Sequence, residues 1–124
     1  MKNLRKIWTF ALLCGITATA WAQQEHVTLV TEKNASNRVV YGTEKLKNVL
    51  EENGYSVALS DKYKTPKDGR TIVVGLQSEK LIGNTSGKLG ITLRNTGSQE
   101  GFSIGSKDRT IVVSGNDATG ALYG

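Results

Sequence analysis

Hydrophobic residues along this chain fall into short strand-like runs, one long helical stretch and intervening polar turns. Val27-Thr28-Leu29-Val30-Thr31 alternates and is β-branched, which predicts a strand. The cluster Asn34-Ala35-Ser36-Asn37 then offers helix N-cap side chains. From Arg38 to Asn53 the residues Val39, Val40, Thr43, Leu46, Val49 and Leu50 recur at steps of three and four, which predicts an amphipathic helix. Gly42 inside this pattern weakens it by up to ~1 kcal/mol relative to Ala, so close packing of that turn on a sheet is expected. Gly54 supplies the left-handed residue that ends the helix.

Tyr55-Ser56-Val57-Ala58-Leu59 alternates as a strand with one covered face. Thr71-Ile72-Val73-Val74-Gly75 is a continuous β-branched run, the pattern of a strand covered on both faces. With the first strand these form a β-α-β unit whose crossover is expected to be right-handed. Between Gln77 and Gly97 the pattern is poorer: Leu81 and Ile82 suit a short helix, and Leu89, Ile91 and Leu93 alternate weakly between glycines. Gly101-Phe102-Ser103-Ile104 and Thr110-Ile111-Val112-Val113-Ser114 flank the polar turn Ser106-Lys107-Asp108-Arg109, which predicts an antiparallel hairpin. The closing stretch from Gly115 to Gly124 opens on capping residues and continues with Ala121, Leu122 and Tyr123 as the first turns of a helix. So short a helix is marginal alone, and a continuation beyond Gly124 is expected.

The first 22 residues have a different character. Lys2, Arg5 and Lys6 precede an apolar run from Ile7 to about Ile16, and Ala20-Trp21-Ala22 supplies a small-x-small cleavage site, so Gln23 is the expected mature N-terminus. The apolar run is roughly half the ~20 residues needed to cross a bilayer, which argues for a cleaved export signal over an anchor. Cys14 follows Leu13 where a lipoprotein signal requires a small residue, so lipidation is not expected. Removing the signal takes three of the 16 Lys and Arg and leaves 13 against 11 Asp and Glu, so a net charge of +5 becomes +2. The remaining cations are scattered singly, without a basic face, which gives a nucleic-acid partner little support. Residues 23–124 suffice for one small domain with a single core.

Candidate chemistry is sparse. The one histidine, His26, lies ahead of the first strand, and the segment after the signal has no cysteine, so neither a Ser-His-Asp nor a Cys-His arrangement is expected. Zinc draws on several His or Cys ligands, and calcium on a tight carboxylate-rich loop. Asp61, Asp68, Glu100, Asp108 and Asp117 are dispersed, so neither a metal nor another cofactor is expected. The spacing of Gly115, Gly120 and Gly124 matches no phosphate-binding fingerprint and is read as turns and close packing. Glycoside hydrolysis needs two facing carboxyl groups. Glu100 and Asp117 each have a plain structural role instead, Glu100 leading into a strand and Asp117 capping the turn after it. No catalytic residue is expected.

The order strand, amphipathic helix ending in Gly, paired strands, then Glu100-Gly101-Phe102-Ser103-Ile104, Thr110-Ile111-Val112-Val113 and Asp117-Ala118-Thr119-Gly120-Ala121-Leu122-Tyr123-Gly124 resembles a glycosidase module. It is similar to the N-terminal domain shared by xylan-degrading α-glucuronidases and β-N-acetylhexosaminidases. Phe102 stands where those domains commonly have Tyr, and the specific part is the last 25 residues. The resemblance implies an α/β (α+β) fold of the hexosaminidase domain 2 type, a small mixed sheet with helices on one face. It further implies packing on a catalytic (β/α)8 barrel of the same full-length polypeptide.

The expected organisation is therefore a signal peptide over 1–22 and an accessory domain over 23–124. The expected role is that of a non-catalytic domain of a periplasmic or extracellular polysaccharide-degrading hydrolase, with no membrane association after cleavage. The alternative is a freestanding secreted carbohydrate- or protein-binding module. In that case Tyr55 and Tyr63, flanking one strand, are the candidate sugar-stacking residues.

Overall fold

The computed structural model describes residues 24–94 and 97–124 of the chain, so the expected export signal over 1–22 and the expected cleavage before Gln23 lie outside the described residues. Among the described residues, five strands and three helices follow in the order β1 (His26–Val30), α1 (Asn37–Glu52), β2 (Ser56–Ser60), β3 (Arg70–Leu76), α2 (Lys80–Leu89), β4 (Phe102–Lys107), β5 (Thr110–Gly115) and α3 (Ala118–Tyr123). The strands make one mixed sheet in the order β2-β1-β3-β5-β4. β1 pairs in parallel with both β2 and β3, β3 pairs in parallel with β5, and only β4 runs antiparallel, against β5.

This is the α/β class with a small mixed sheet that the sequence predicts, but the helices divide between two faces instead of sharing one. Val73 packs with Val30, Val112 and Ile82 of α2 on one side. Its neighbour Val74 packs with Val113, Val39 of α1 and Ala121 of α3 on the other. The uninterrupted apolar run Ile72-Val73-Val74 is the cause, because successive side chains of a strand point to opposite faces and each face then needs its own cover.

Local signals account for most element boundaries. Ser36 caps α1, its hydroxyl accepting from the Val39 N–H at 3.4 Å, and Gly54 follows the helix at φ 89°. The β4–β5 hairpin closes through Asp108 and Arg109, both at positive φ (48° and 63°), as a two-residue turn of this hand requires. The apolar face expected of α1 is narrower than its periodicity implies. Val39 and Thr43 are buried, whereas Val40 and Val49 are exposed, because α1 rests on the sheet along one line and on α3 beside it. Gly42 faces α3 and not the sheet: a Cβ there would lie 2.8 Å from Leu122 Cδ1. Ile91 and Leu93, whose alternation suggests a strand, form none and pack as irregular chain against the Val73 face.

Candidate functional site

The strand order places a crevice between β1 and β3. From β1 the next strand lies on one side and the third on the other, and the segments leaving the carboxyl ends of β1 and β3 run to helices on opposite faces. Open α/β sheets bind ligands at such reversals, because the diverging connections leave a gap above the strand ends. Here the gap is a cleft of about 610 Å³. Glu32, Lys33 and Asn34, which follow β1, form one wall, and Asp61, Lys62 and Tyr63, which follow β2, form another. The third is a stripe of α2 at helical spacing: Leu81, Asn84, Thr85 and Lys88.

Several contacts fix these walls. Glu32 Oε1 accepts from the Leu81 N–H at 3.2 Å and ties the β1 connection to the first turn of α2. Tyr63 lies partly buried against the Val73 core, its hydroxyl 3.0 Å from Thr110 Oγ1, and Lys88 Nζ stands 5.7 Å from the centre of its ring. Glu79, the residue before α2, accepts from the Leu76 N–H at 2.6 Å. Partial burial holds the Glu79 carboxyl above its ordinary value of 4.5, and neighbouring Glu32 pushes it further in the same direction, against the lowering effect of the Leu76 hydrogen bond.

A carboxyl group with a raised folded-state pKa favours folding in its protonated form, an advantage lost as pH rises through that pKa. Glu79→Gln is therefore expected to raise the midpoint of thermal unfolding at pH 7 by a few degrees at most, since the group is largely solvated. The gain should fade as pH falls below 4.5, where both proteins carry a neutral side chain. Thermal scans at about pH 3.5 and pH 7 check this, and a gain that persists at the lower pH contradicts the assignment.

The residues weighed as catalytic candidates lie elsewhere. Asp117 Oδ1 accepts from the Gly120 N–H at 2.8 Å, capping α3, and Oδ2 accepts from the Glu100 N–H at 3.0 Å. These backbone donors, the Glu100 N–H foremost, hold the Asp117 carboxyl below its ordinary value of 3.8. The group is thus an ionised cap, a poor proton donor at neutral pH. Glu100 occupies the turn before β4 at φ 60°. Among the described residues no group of three or more His, Cys, Asp and Glu is placed to hold a metal. Of the two tyrosines weighed for stacking, Tyr63 lines the cleft and Tyr55 does not. Lys33, Lys62, Asn84, Thr85 and Lys88 escape sequence reading because they come from three separate segments. The one local signal is the spacing of Leu81, Asn84, Thr85 and Lys88.

A second surface feature lies at the β4 edge. Phe102 and Ile104 point to the same face of that strand and are 44% and 54% exposed. Gly124, after α3, abuts the Phe102 ring, and Tyr123 beside it is 60% exposed. Together they make an apolar strip continuous with the Val113 side of the core. No helix of the described residues is long and apolar enough to cross a membrane.

No protein-family model matches the sequence, and no curated protein matches it significantly. Similarity appears in structure. The domain superposes on part of a chain described as the structure of CpGH84D with a TM-score of 0.61 and 20% sequence identity, over 80% of this chain and 16% of that one. It also superposes on part of a chain described as a GH138 enzyme targeting pectin rhamnogalacturonan II, with a TM-score of 0.57 and 26% identity, over 79% of this chain and 12% of that one. The chain therefore spans about one-sixth or less of these chains, and its fold is that of a small domain occurring within glycoside hydrolases.

Proposed function

We propose that this chain is the non-catalytic N-terminal domain of an exported polysaccharide-degrading glycoside hydrolase of the α-glucuronidase or β-N-acetylhexosaminidase type. Its part is to pack against the (β/α)8 barrel of the same polypeptide. The observation that carries this reading is the apolar strip of Phe102, Ile104 and Tyr123 along the β4 edge. Contiguous exposed apolar surface of this kind marks an interaction site, and an unpaired edge strand is otherwise a liability. The likeness to small portions of two glycoside hydrolase chains supports a large companion body. The short helix α3, capped by Asp117 and seated between α1 and β5, carries the chain along this strip.

The reading frame beyond codon 124 is expected to continue for several hundred codons of alternating strand and helix pattern, and a stop codon at that point overturns the proposal. In the full-length product the double substitution Phe102→Asp/Ile104→Asp is expected to split one cooperative thermal transition into two. The exposed positions should leave the midpoint of the 124-residue protein within a few degrees of its parent. A single unchanged transition in the full-length variant rules out this strip as the docking surface.

A further inference from the structure

We propose that the cleft between α2 and the segments following β1 and β2 binds an acidic saccharide, a sugar carrying a carboxylate. That the ligand is a sugar rests on the glycan-degrading role proposed above. That it is anionic and rich in hydroxyls rests on the cleft alone.

Thr85 is the first observation. It sits inside α2, 2% exposed, and lines the cleft. Other helix hydroxyls in this fold turn back on their own helix: buried Thr43 donates to the Val39 carbonyl at 2.8 Å, and half-buried Ser86 to the Ile82 carbonyl at 2.8 Å. Thr85 Oγ1 has no such partner among the described residues, yet no side-chain oxygen or nitrogen there is both sealed from solvent and unpaired. The Thr85 hydroxyl therefore keeps a small accessible area, on a residue that lines the cleft. An unpaired polar atom in so enclosed a position is costly unless something enters to meet it.

Charge is the second observation. Lys33, Lys62 and Lys88 all line the cleft, and none has an ion-pair partner among the described residues. Lys88 is steered towards the cleft by the Tyr63 ring beneath it. Two carboxylates, Glu32 and Asp61, share the same walls. A simple anion answers the lysines and is repelled by the carboxylates, while a neutral sugar answers the carboxylates and leaves the ammonium groups unmatched. A uronate satisfies both, its carboxylate meeting lysine and its hydroxyls donating to Glu32 and Asp61. Thr85 and the amides of Asn34 and Asn84 remain for further hydroxyls. The volume of about 610 Å³ falls within the ~300–1,000 Å³ of small-molecule sites.

The test is a titration of the ¹⁵N-labelled protein with sodium galacturonate, digalacturonate, methyl galactoside and sodium sulfate, followed by amide shifts. Saturable shifts confined to 32–34, 61–63 and 81–88 are expected with the two uronates, with methyl galactoside at least tenfold weaker. Added salt should weaken binding, since the lysines are exposed. Lys62→Gln and Thr85→Val should each weaken binding about fivefold, the worth of one hydrogen bond of roughly 1 kcal/mol. Thr85→Val should do so without lowering the unfolding temperature, because the lost hydroxyl has no hydrogen-bond partner among the described residues. Methyl galactoside binding as tightly as galacturonate, sulfate displacing galacturonate at equal concentration, or shifts absent from the cleft each overturn the proposal. None of these variants touches Phe102 or Ile104, so loss of sugar binding and loss of barrel docking are read separately.

Discussion

Gly120→Ala is expected to destabilise the domain by about 3 kcal/mol, at the upper end of what overpacking usually costs. In a domain of this size that corresponds to a drop of roughly 15 °C in unfolding temperature. A Cβ at Gly120 would overlap the Gly101 carbonyl oxygen, which is backbone and has no rotamer to escape into. That carbonyl also accepts from the Asn116 N–H at 2.8 Å, so displacing it breaks the link between the strand entry of β4 and the exit of β5. Gly83 is the matched control. It lies in α2 with nothing within 4 Å of where its Cβ would go, and Gly83→Ala should raise stability by up to ~1 kcal/mol through helix propensity alone. Urea unfolding followed by circular dichroism measures both. A Gly120→Ala protein as stable as its parent would show that the Gly101 turn yields freely.

Ile82→Ala is expected to cost about 3 kcal/mol as well, here by leaving a cavity. Ile82 is 1% exposed and packs on Val30, Val73 and Val112, and it is the most fully enclosed of the three buried residues of α2, the others being Thr85 and Leu89. Gly75 beneath it admits this approach, since a Cβ there would stand 3.0 Å from Ile82 Cγ1. The loss should fall unevenly. Amide exchange across Lys80–Leu89 should accelerate more than across α1, which rests on the opposite face. Uniform acceleration in both helices would mean that α2 has no independent hold to lose.

How much of this was legible in the sequence differs element by element. The extent of α1, its glycine stop at Gly54, the β4–β5 hairpin and the Asp117 cap of α3 follow from residues within a few positions of one another, and the structure keeps them. The run Ile72-Val73-Val74 announces a strand covered on both faces, and that local reading outweighs the one-faced arrangement implied by the glycosidase resemblance. What fails is what depends on distant partners. Gly42 meets Leu122 instead of the sheet, and Val40 and Val49 stay exposed, because α3 takes the place beside α1. The Val40 and Val49 positions are apolar without being covered, so periodicity alone overstates the buried face. The cleft was not legible, since Glu32, Lys62 and Thr85 come together only once the strand order reverses between β1 and β3. Nor could composition tell a hydroxyl that bonds its own helix, as Thr43 does, from one that opens outward, as Thr85 does.

The parallel pairing of β1, β3 and β5 also dictates a sequence of events in time. Val30 sits opposite Val73, and Val73 opposite Val112, so each seam at the centre of the sheet joins segments about forty residues apart. The β4–β5 hairpin needs only its own two-residue turn and can close within microseconds, whereas the central seams wait on long loops to find their ends. Folding from the extended chain is thus paced by assembly of its middle, with the carboxyl-terminal ribbon ready first as a template for β3.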